Sequence, residues 1–245
     1  TQHYSMGGVR TNKDGAAYGL KGLFSAGEAA CWDMHGFNRL GGNSLAETVV
    51  AGGIVGRKMA EYALGAEVIF KSTVIDGEAR AQEERIQALI SGKNGSQSVY
   101  KVRAAMQEAL NKGANIFRNA ADLEACVATL QDVLGRAREV GLKSSGLGAS
   151  PELAAARKIE GQVKMALMVA HGALQRTESR GSHNREDFPA RNDRDWLTRT
   201  LATWKSPEDT LPTLAYEPAT QAFEIPPGDR GYGKTEVISA ESKKE

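Results

Sequence analysis

The chain has 245 residues, with 31 Lys+Arg against 30 Asp+Glu, a net charge of +1 and 41% hydrophobic residues. That length suits one large domain or two small ones, and the charge balance gives no basis for nucleic-acid binding or a polybasic membrane anchor. No apolar run reaches the roughly 18 residues that a membrane-spanning helix needs, and Cys31 and Cys126 lie far apart with no CxxC, as expected of two incidental thiols in a reducing compartment.

The first 65 residues are rich in glycine and short apolar runs: "YSMGGV", "GLKGLFSAGEAA", "AGGIVG". Within them "GLFSAGE" predicts a short buried strand entering a glycine turn. From about Ala46 to Leu64 the pattern is helical, with Gly65 placed to end it. Residues 66–73 read as a connector, and residues 74–178 are helical in character. The first of these helices, in "VIDGEARAQEERIQALI", offers Ile75, Ala79, Ile86, Leu89 and Ile90 on one face. The second carries Val99, Val102, Met106 and Leu110 and stops at Gly113. The third takes Asn119 as cap, a stripe of Leu123, Val127, Leu130, Leu134 and Ala137, and Gly141 as terminator. The fourth opens with Ser150 as cap, Pro151 at the first helical position and Glu152 in the first turn. Its stripe is Leu153, Ile159, Val163, Leu167, Ala170 and Leu174. One-sided stripes must be covered, so these helices are expected to pack as a bundle. Residues 176–196 form a dense polar loop. The segment "DTLPTLAYEPATQAFEIPPG" is broken by proline and suits an extended tail, and the last eight residues, "ISAESKKE", read as a frayed end.

The chemistry concentrates in "MHGFNRLGGNSLAETVVAGGIVG", residues 34–56. Ser44-x-x-Glu47 is a capping-box pattern, in which each side chain reaches the other's backbone amide. The glycines of "RLGGN" ahead of it let backbone amides approach a ligand, and a helix N-terminus carries roughly half a positive charge. Such an end favours a phosphate, a carboxylate or a ring that becomes anionic; the alternative is a tight loop with no ligand. Arg39 is either a planar fork for a carboxylate or a surface ion-pair residue. His3 and His35 are structural or exposed in the simpler reading, and Glu28 is either a ribose ligand or a solvated turn acid.

Taken in order, "HYSMGG" (3–8), "GLFSAGE" (22–28) and "HGFNRLGGNSL" (35–45) resemble the flavoprotein subunit of fumarate reductases and succinate dehydrogenases. "TESRGSHNREDFP" (177–189) and "TLPTLAYEP" (210–218) resemble its C-terminal region. L-aspartate oxidase and adenylylsulfate reductase are weaker relatives, and the "RLGGNSL" context is most similar to fumarate reductases that use menaquinol.

The resemblance implies a mainly α chain. An antiparallel helical bundle domain over residues 66–200 would be preceded by a remnant (short strands plus one helix) of an α/β FAD-binding domain over residues 1–65. An extended, irregular C-terminal tail would follow over residues 201–245. It also implies roles. His3 and Arg39 would bind the dicarboxylate, Tyr4 would lie near the flavin, and Glu28 would bind the FAD ribose. Leu40, Asn43, Ser44 and Leu45 would line the isoalloxazine edge. The reaction would be hydride transfer between flavin N5 and an alkene carbon, with the carboxylates clamped to polarise the double bond. An iron–sulfur subunit and a membrane cytochrome b anchor would be the partners, placing the protein in the cytoplasm on the inner face of the membrane. The family's dinucleotide-binding G-x-G-x-x-G, covalent-flavin histidine and proton-donating arginine have no counterpart here. Together with a first residue, Thr1, that is not methionine, this leads to the expectation that the chain is a C-terminal portion of the subunit, which alone binds no FAD tightly and reduces no fumarate. No metal ligands are expected. Two other readings stay open: an L-aspartate oxidase-like enzyme, and a helical module that docks an iron–sulfur subunit. For His183, Arg185 and Asp187 the choice lies between domain or subunit docking and a self-bonded turn cluster.

Overall fold

The computed structural model describes residues 4–67, 71–92, 95–143, 148–219 and 237–238. The chain divides into two compact units, Thr1–Lys71 and Ser72–Glu245.

In the first unit, β1 (Val9–Arg10) pairs in parallel with β2 (Ala30–Cys31). The segment between them folds back through isolated antiparallel bridges, Thr11 with Ala17 and Ala16 with Phe24. The expected strand over "GLFSAGE" is therefore reduced to a single bridge at Phe24. Gly27 turns the chain at φ 64°, and Gly27–Ala29 form one 3-10 turn; a left-handed residue cannot continue a pleat. The helix α1 (Asn43–Gly65) follows and packs on that turn. It starts three residues earlier than its apolar pattern suggests and ends, as expected, at Gly65. Glu47, Ala51 and Val55 recur every four residues along its buried face.

In the second unit come α2 (Ser72–Ile90), α3 (Val99–Gly113), β3 (Phe117–Arg118), α4 (Ala120–Arg138) and α5 (Pro151–Gln175). The core is shared by α3, α4 and α5: Val99 and Val102, Leu123, Leu130 and Leu134, and Ile159, Val163 and Leu167 are fully buried. Each such side chain contributes roughly 1.5–3 kcal/mol relative to leaving it in water. The predicted caps form: Asn119 Oδ1 accepts from the Asp122 amide at 2.9 Å, and Ser150 Oγ from the Leu153 amide at 3.1 Å, with Pro151 in the first turn. Two expectations fail. No residue of α2 is buried, and Ile75 is exposed; only Leu89, in the last turn, reaches the core. And α4 ends at Arg138 rather than at Gly141, whose amide instead donates to the Gln97 carbonyl at 3.2 Å.

Beyond α5, β4 (Asn184–Arg185) pairs in parallel with β3. β5 (Arg191–Asn192) leads into a one-turn helix, α6 (Asp193–Trp196). β6 (Thr198–Thr203) and β7 (Thr213–Pro218) form an antiparallel hairpin running from Thr198↔Pro218 to Thr203↔Thr213. β8 (Val237–Ile238) pairs in parallel with β5. Among the described residues no helix is long and apolar enough to cross a membrane.

Candidate functional site

The start of α1 is built by backbone rather than by a side chain. Gly42 is the N-cap residue, at φ 77°, ψ −14°, and no side chain caps the helix. Only glycine adopts that left-handed conformation without cost. The Ser44–Glu47 capping box does not form. Ser44 lies inside the first turn, where its hydroxyl accepts from Arg39 Nη1 at 2.8 Å. Glu47 is drawn away from the backbone by stronger partners. The helix therefore presents its first amides, and the positive end of its dipole, without the side-chain acceptor that usually answers them.

Glu47 is 3% exposed. Its Oε1 accepts from Trp32 Nε1 at 2.6 Å, and its Oε2 from the Tyr4 hydroxyl at 3.1 Å and from His35 Nε2 at 2.8 Å. Burial by itself would raise this carboxyl, but the bonds from Trp32, His35 and Tyr4 more than offset it and hold the group below its usual range. A buried carboxylate is tolerated only when paired in this way. The same arrangement acts on Tyr4: burial, and then the adjacent carboxylate, push its hydroxyl up to about 12. On the other side of the His35 ring, Nδ1 accepts from the Leu40 amide at 3.3 Å.

Arg39 sits over this cluster. Its guanidinium lies 5.5 Å from the centroid of the Tyr4 ring, and Tyr4 in turn meets His35 edge-on at 5.3 Å. A half-buried arginine beside an uncapped helix start is an anion-attracting pair of groups, and a guanidinium fork suits a carboxylate.

The remaining predicted residues distribute as follows. Leu40 and Asn43 close the turn into α1, the Asn43 amide donating to the Leu40 carbonyl at 3.0 Å. Leu45, on the first turn, is 78% exposed. Glu28 lies in the 3-10 turn, and its Oε1 accepts from the Ser5 amide at 2.7 Å. His3 lies outside the described residues. The structure thus gathers Tyr4, Arg39, Leu40, Asn43 and Ser44 at one helix end. It adds Trp32, His35 and Glu47 as their support, a role the sequence pattern did not indicate for them. The signal that hides Glu47 is its own spacing from Ser44, which mimics a cap.

A second polar cluster occupies the loop after α5. Arg185 is 1% exposed. Its Nη1 donates to the carbonyls of Ala173, Leu174 and Arg176 at the C-terminal end of α5, and its Nε and Nη2 form a two-pronged pair with Asp187. Asp187 Oδ2 accepts from the Ala120 amide, the first residue of α4, at 2.9 Å. The bond from Arg185 holds the Asp187 carboxyl down to about 2. His183 accepts at Nδ1 from Arg118 at 2.9 Å, and its Nε2 faces the Arg176 carbonyl at 3.2 Å. Burial pushes the His183 ring down to about 4, with three neighbouring arginines reinforcing the shift. Glu178, fully buried, accepts from Arg176, Arg180 and the Asn192 amide. Among the described residues these contacts bond the loop to itself and to the ends of α4 and α5.

Comparison with known proteins gives the family of the chain. Residues 103–232 match the family described as fumarate reductase flavoprotein C-term, and residues 1–45 match the FAD binding domain family. The first match covers more than half of the chain, which belongs to the fumarate reductase flavoprotein C-terminal family. The fumarate reductase flavoprotein subunit of Helicobacter pylori (strain ATCC 700392 / 26695) is 44% identical over all 245 residues, which make up 34% of that protein. A quinol fumarate reductase structure from E. coli superposes with a TM-score of 0.82 at 31% identity, over 94% of this chain and 39% of that one. A structure of a quinol-fumarate reductase with menaquinol molecules superposes at 0.85 and 31% identity, over 93% of this chain and 39% of that one. The chain thus spans little more than a third of the length of the relatives it matches. These matches support the fumarate reductase/succinate dehydrogenase reading over the aspartate oxidase alternative.

Proposed function

We propose that this chain supplies the carboxylate clamp and one edge of the FAD site in the flavoprotein subunit of a fumarate reductase/succinate dehydrogenase. The observation that carries the reading is Arg39. It is held by Ser44 and the Tyr4 ring beside an uncapped helix start, in and beside the segment matched by the FAD binding domain family. The residues fit a flavin. The first turn of α1 after Gly42, which no side chain caps, would offer positive dipole to a ring edge that gains negative charge on reduction, and Asn43, Ser44 and the exposed Leu45 would line it. Bound FAD would supply the hydride chemistry. The chain's own part is to bind: Arg39 takes one carboxylate of fumarate or succinate, and His3, next to Tyr4 in sequence, takes another. Glu28, in the 3-10 turn just before β2, would be the ribose ligand. An iron–sulfur subunit and a cytochrome b membrane anchor complete the electron path, with this subunit peripheral on the cytoplasmic face.

The test uses the full-length subunit that carries this sequence, assayed for fumarate reduction by reduced viologen and for aspartate oxidation. Arg39→Ala is expected to lower kcat/KM for fumarate by about 10²-fold or more; aspartate turnover, or no response to Arg39→Ala, refutes the reading. The 245-residue chain mixed with FAD is expected to stay colourless after desalting, and stoichiometric yellow protein would show that it holds the cofactor alone.

A further inference from the structure

We propose that Glu47 is the positioning residue of this site: its carboxylate fixes the tautomer of His35 and the orientation of Tyr4, and through them the placement of Arg39. The proposal rests on reading Arg39 as the carboxylate clamp.

The tautomer follows from donors that cannot change. The Leu40 backbone amide can only donate, and it points at His35 Nδ1, 3.3 Å away. In the neutral ring that nitrogen carries no proton, so the proton is on Nε2, which donates to Glu47 Oε2 at 2.8 Å. Glu47 thereby turns the far nitrogen of His35 into an acceptor for Leu40, the residue next to Arg39. The second route runs through Tyr4. Its hydroxyl donates to the same Oε2, and this bond sets the ring whose face lies under the Arg39 guanidinium. Arg39 has three restraints: the Ser44 hydroxyl, the Tyr4 face and the anchored Leu40 amide. Two of the three originate at Glu47. Trp32, at 2.6 Å on Oε1, keeps the carboxylate itself from rotating.

An amide in place of the carboxylate tests this because its two ends differ. In Glu47→Gln the carbonyl oxygen can still accept from Trp32. The amide nitrogen then meets the Tyr4 hydroxyl and His35 Nε2 as a donor. His35 can answer only by accepting at Nε2, which moves its proton to Nδ1 and sets it against the Leu40 amide. The Tyr4 hydroxyl can turn from donor to acceptor, but the lost Leu40 bond and the reversed Tyr4 bond loosen two of the restraints on Arg39. Glu47→Asp keeps an acceptor-only group and is the conservative control.

The experiment has two arms. Long-range proton–nitrogen NMR of the full chain reads the His35 tautomer and the Arg39 Nε–H signal. Wild type is expected to show the Nε2–H form; Glu47→Gln should show the Nδ1–H form with a shifted or broadened Arg39 signal, and Glu47→Asp should keep the wild-type form. In the FAD-loaded full-length subunit, Glu47→Gln is expected to raise KM for fumarate about tenfold while kcat changes less. A wild-type chain in the Nδ1–H form overturns the proposal even if the variant does not fold. So does a Glu47→Gln chain whose tautomer and Arg39 signal are unchanged. An unchanged KM in Glu47→Gln also overturns it when Arg39→Ala does raise KM. If KM ignores Arg39→Ala, the clamp reading fails instead, and the Arg39 signal still decides whether Glu47 positions it.

Discussion

Two polar clusters of related composition differ in how their donors are used. Both sit at helix ends and combine a histidine and a buried carboxylate with arginine, one arginine at the start of α1 and several after α5. Around Arg185 the arginine donates to three carbonyls and a carboxylate of its own chain, and Asp187 caps the start of α4. Around Arg39 the side chain bonds, among the described residues, to Ser44, and the helix start next to it has no side-chain cap. The lesson is that residue types alone do not separate a structural cluster from a binding one. What differs is where the donors go: around Arg185 they are answered within the chain, and around Arg39 the helix start carries no side-chain cap.

The sharpest way to break this comparison is Arg185→Ala. Removing a buried arginine strands Asp187 and three carbonyls, and should cost about 3–5 kcal/mol in guanidinium unfolding of the full chain. A cost under about 1 kcal/mol would place Arg185 among surface ion pairs. The acid limb of stability comes next. His183 titrates at about 4 in the folded chain, below its ordinary value of 6.5. The unfolded chain therefore binds the extra proton first, and stability is lost as pH falls from 6.5 to 4. Asp187, at about 2 when folded against an ordinary 3.8, adds a further loss below pH 4. His183→Gln should flatten the upper window and leave the lower one; an unchanged slope between pH 6.5 and 4 would refute the assignment. The smallest effect is expected of Ser44→Ala. It should change stability by less than about 0.5 kcal/mol, because Ser44 is not the cap, whereas a true N-cap serine would cost about 1 kcal/mol.

Much of the helical unit was legible in the sequence because its stripes follow the helical period. Leu123, Val127, Leu130, Leu134 and Ala137 of α4 are all buried, as their spacing requires. The caps Asn119 and Ser150 are read by their neighbours three residues on, a strictly local relation. Some misreadings are local, such as the strand that the left-handed Gly27 interrupts; others are long-range. The stripe of α2 shows that one face is apolar, but not whether a partner covers it, and Ile75 is left exposed. β7 reads as extended, yet its partner β6 is not apparent from the sequence. At the site, the glycines and Arg39 point to an anion, while Glu47 is misread as a cap. Its true partners, Tyr4, Trp32 and His35, lie 43, 15 and 12 residues away, and spacing within a helix carries no trace of them.

The bond between Asp187 and the Ala120 amide spans 67 residues of sequence. It closes only when α4 and the loop beyond α5 have come together, and is expected to form late in assembly. A contact made after the barrier slows escape from the native state without speeding arrival. Arg185→Ala should therefore steepen the loss through faster unfolding, with a refolding rate close to wild type in stopped-flow mixing; a refolding rate that falls by the full factor would put the contact in the nucleus instead. The loop after α5 would then act as a latch on the bundle, one that governs how long the helices stay together rather than how quickly they find each other.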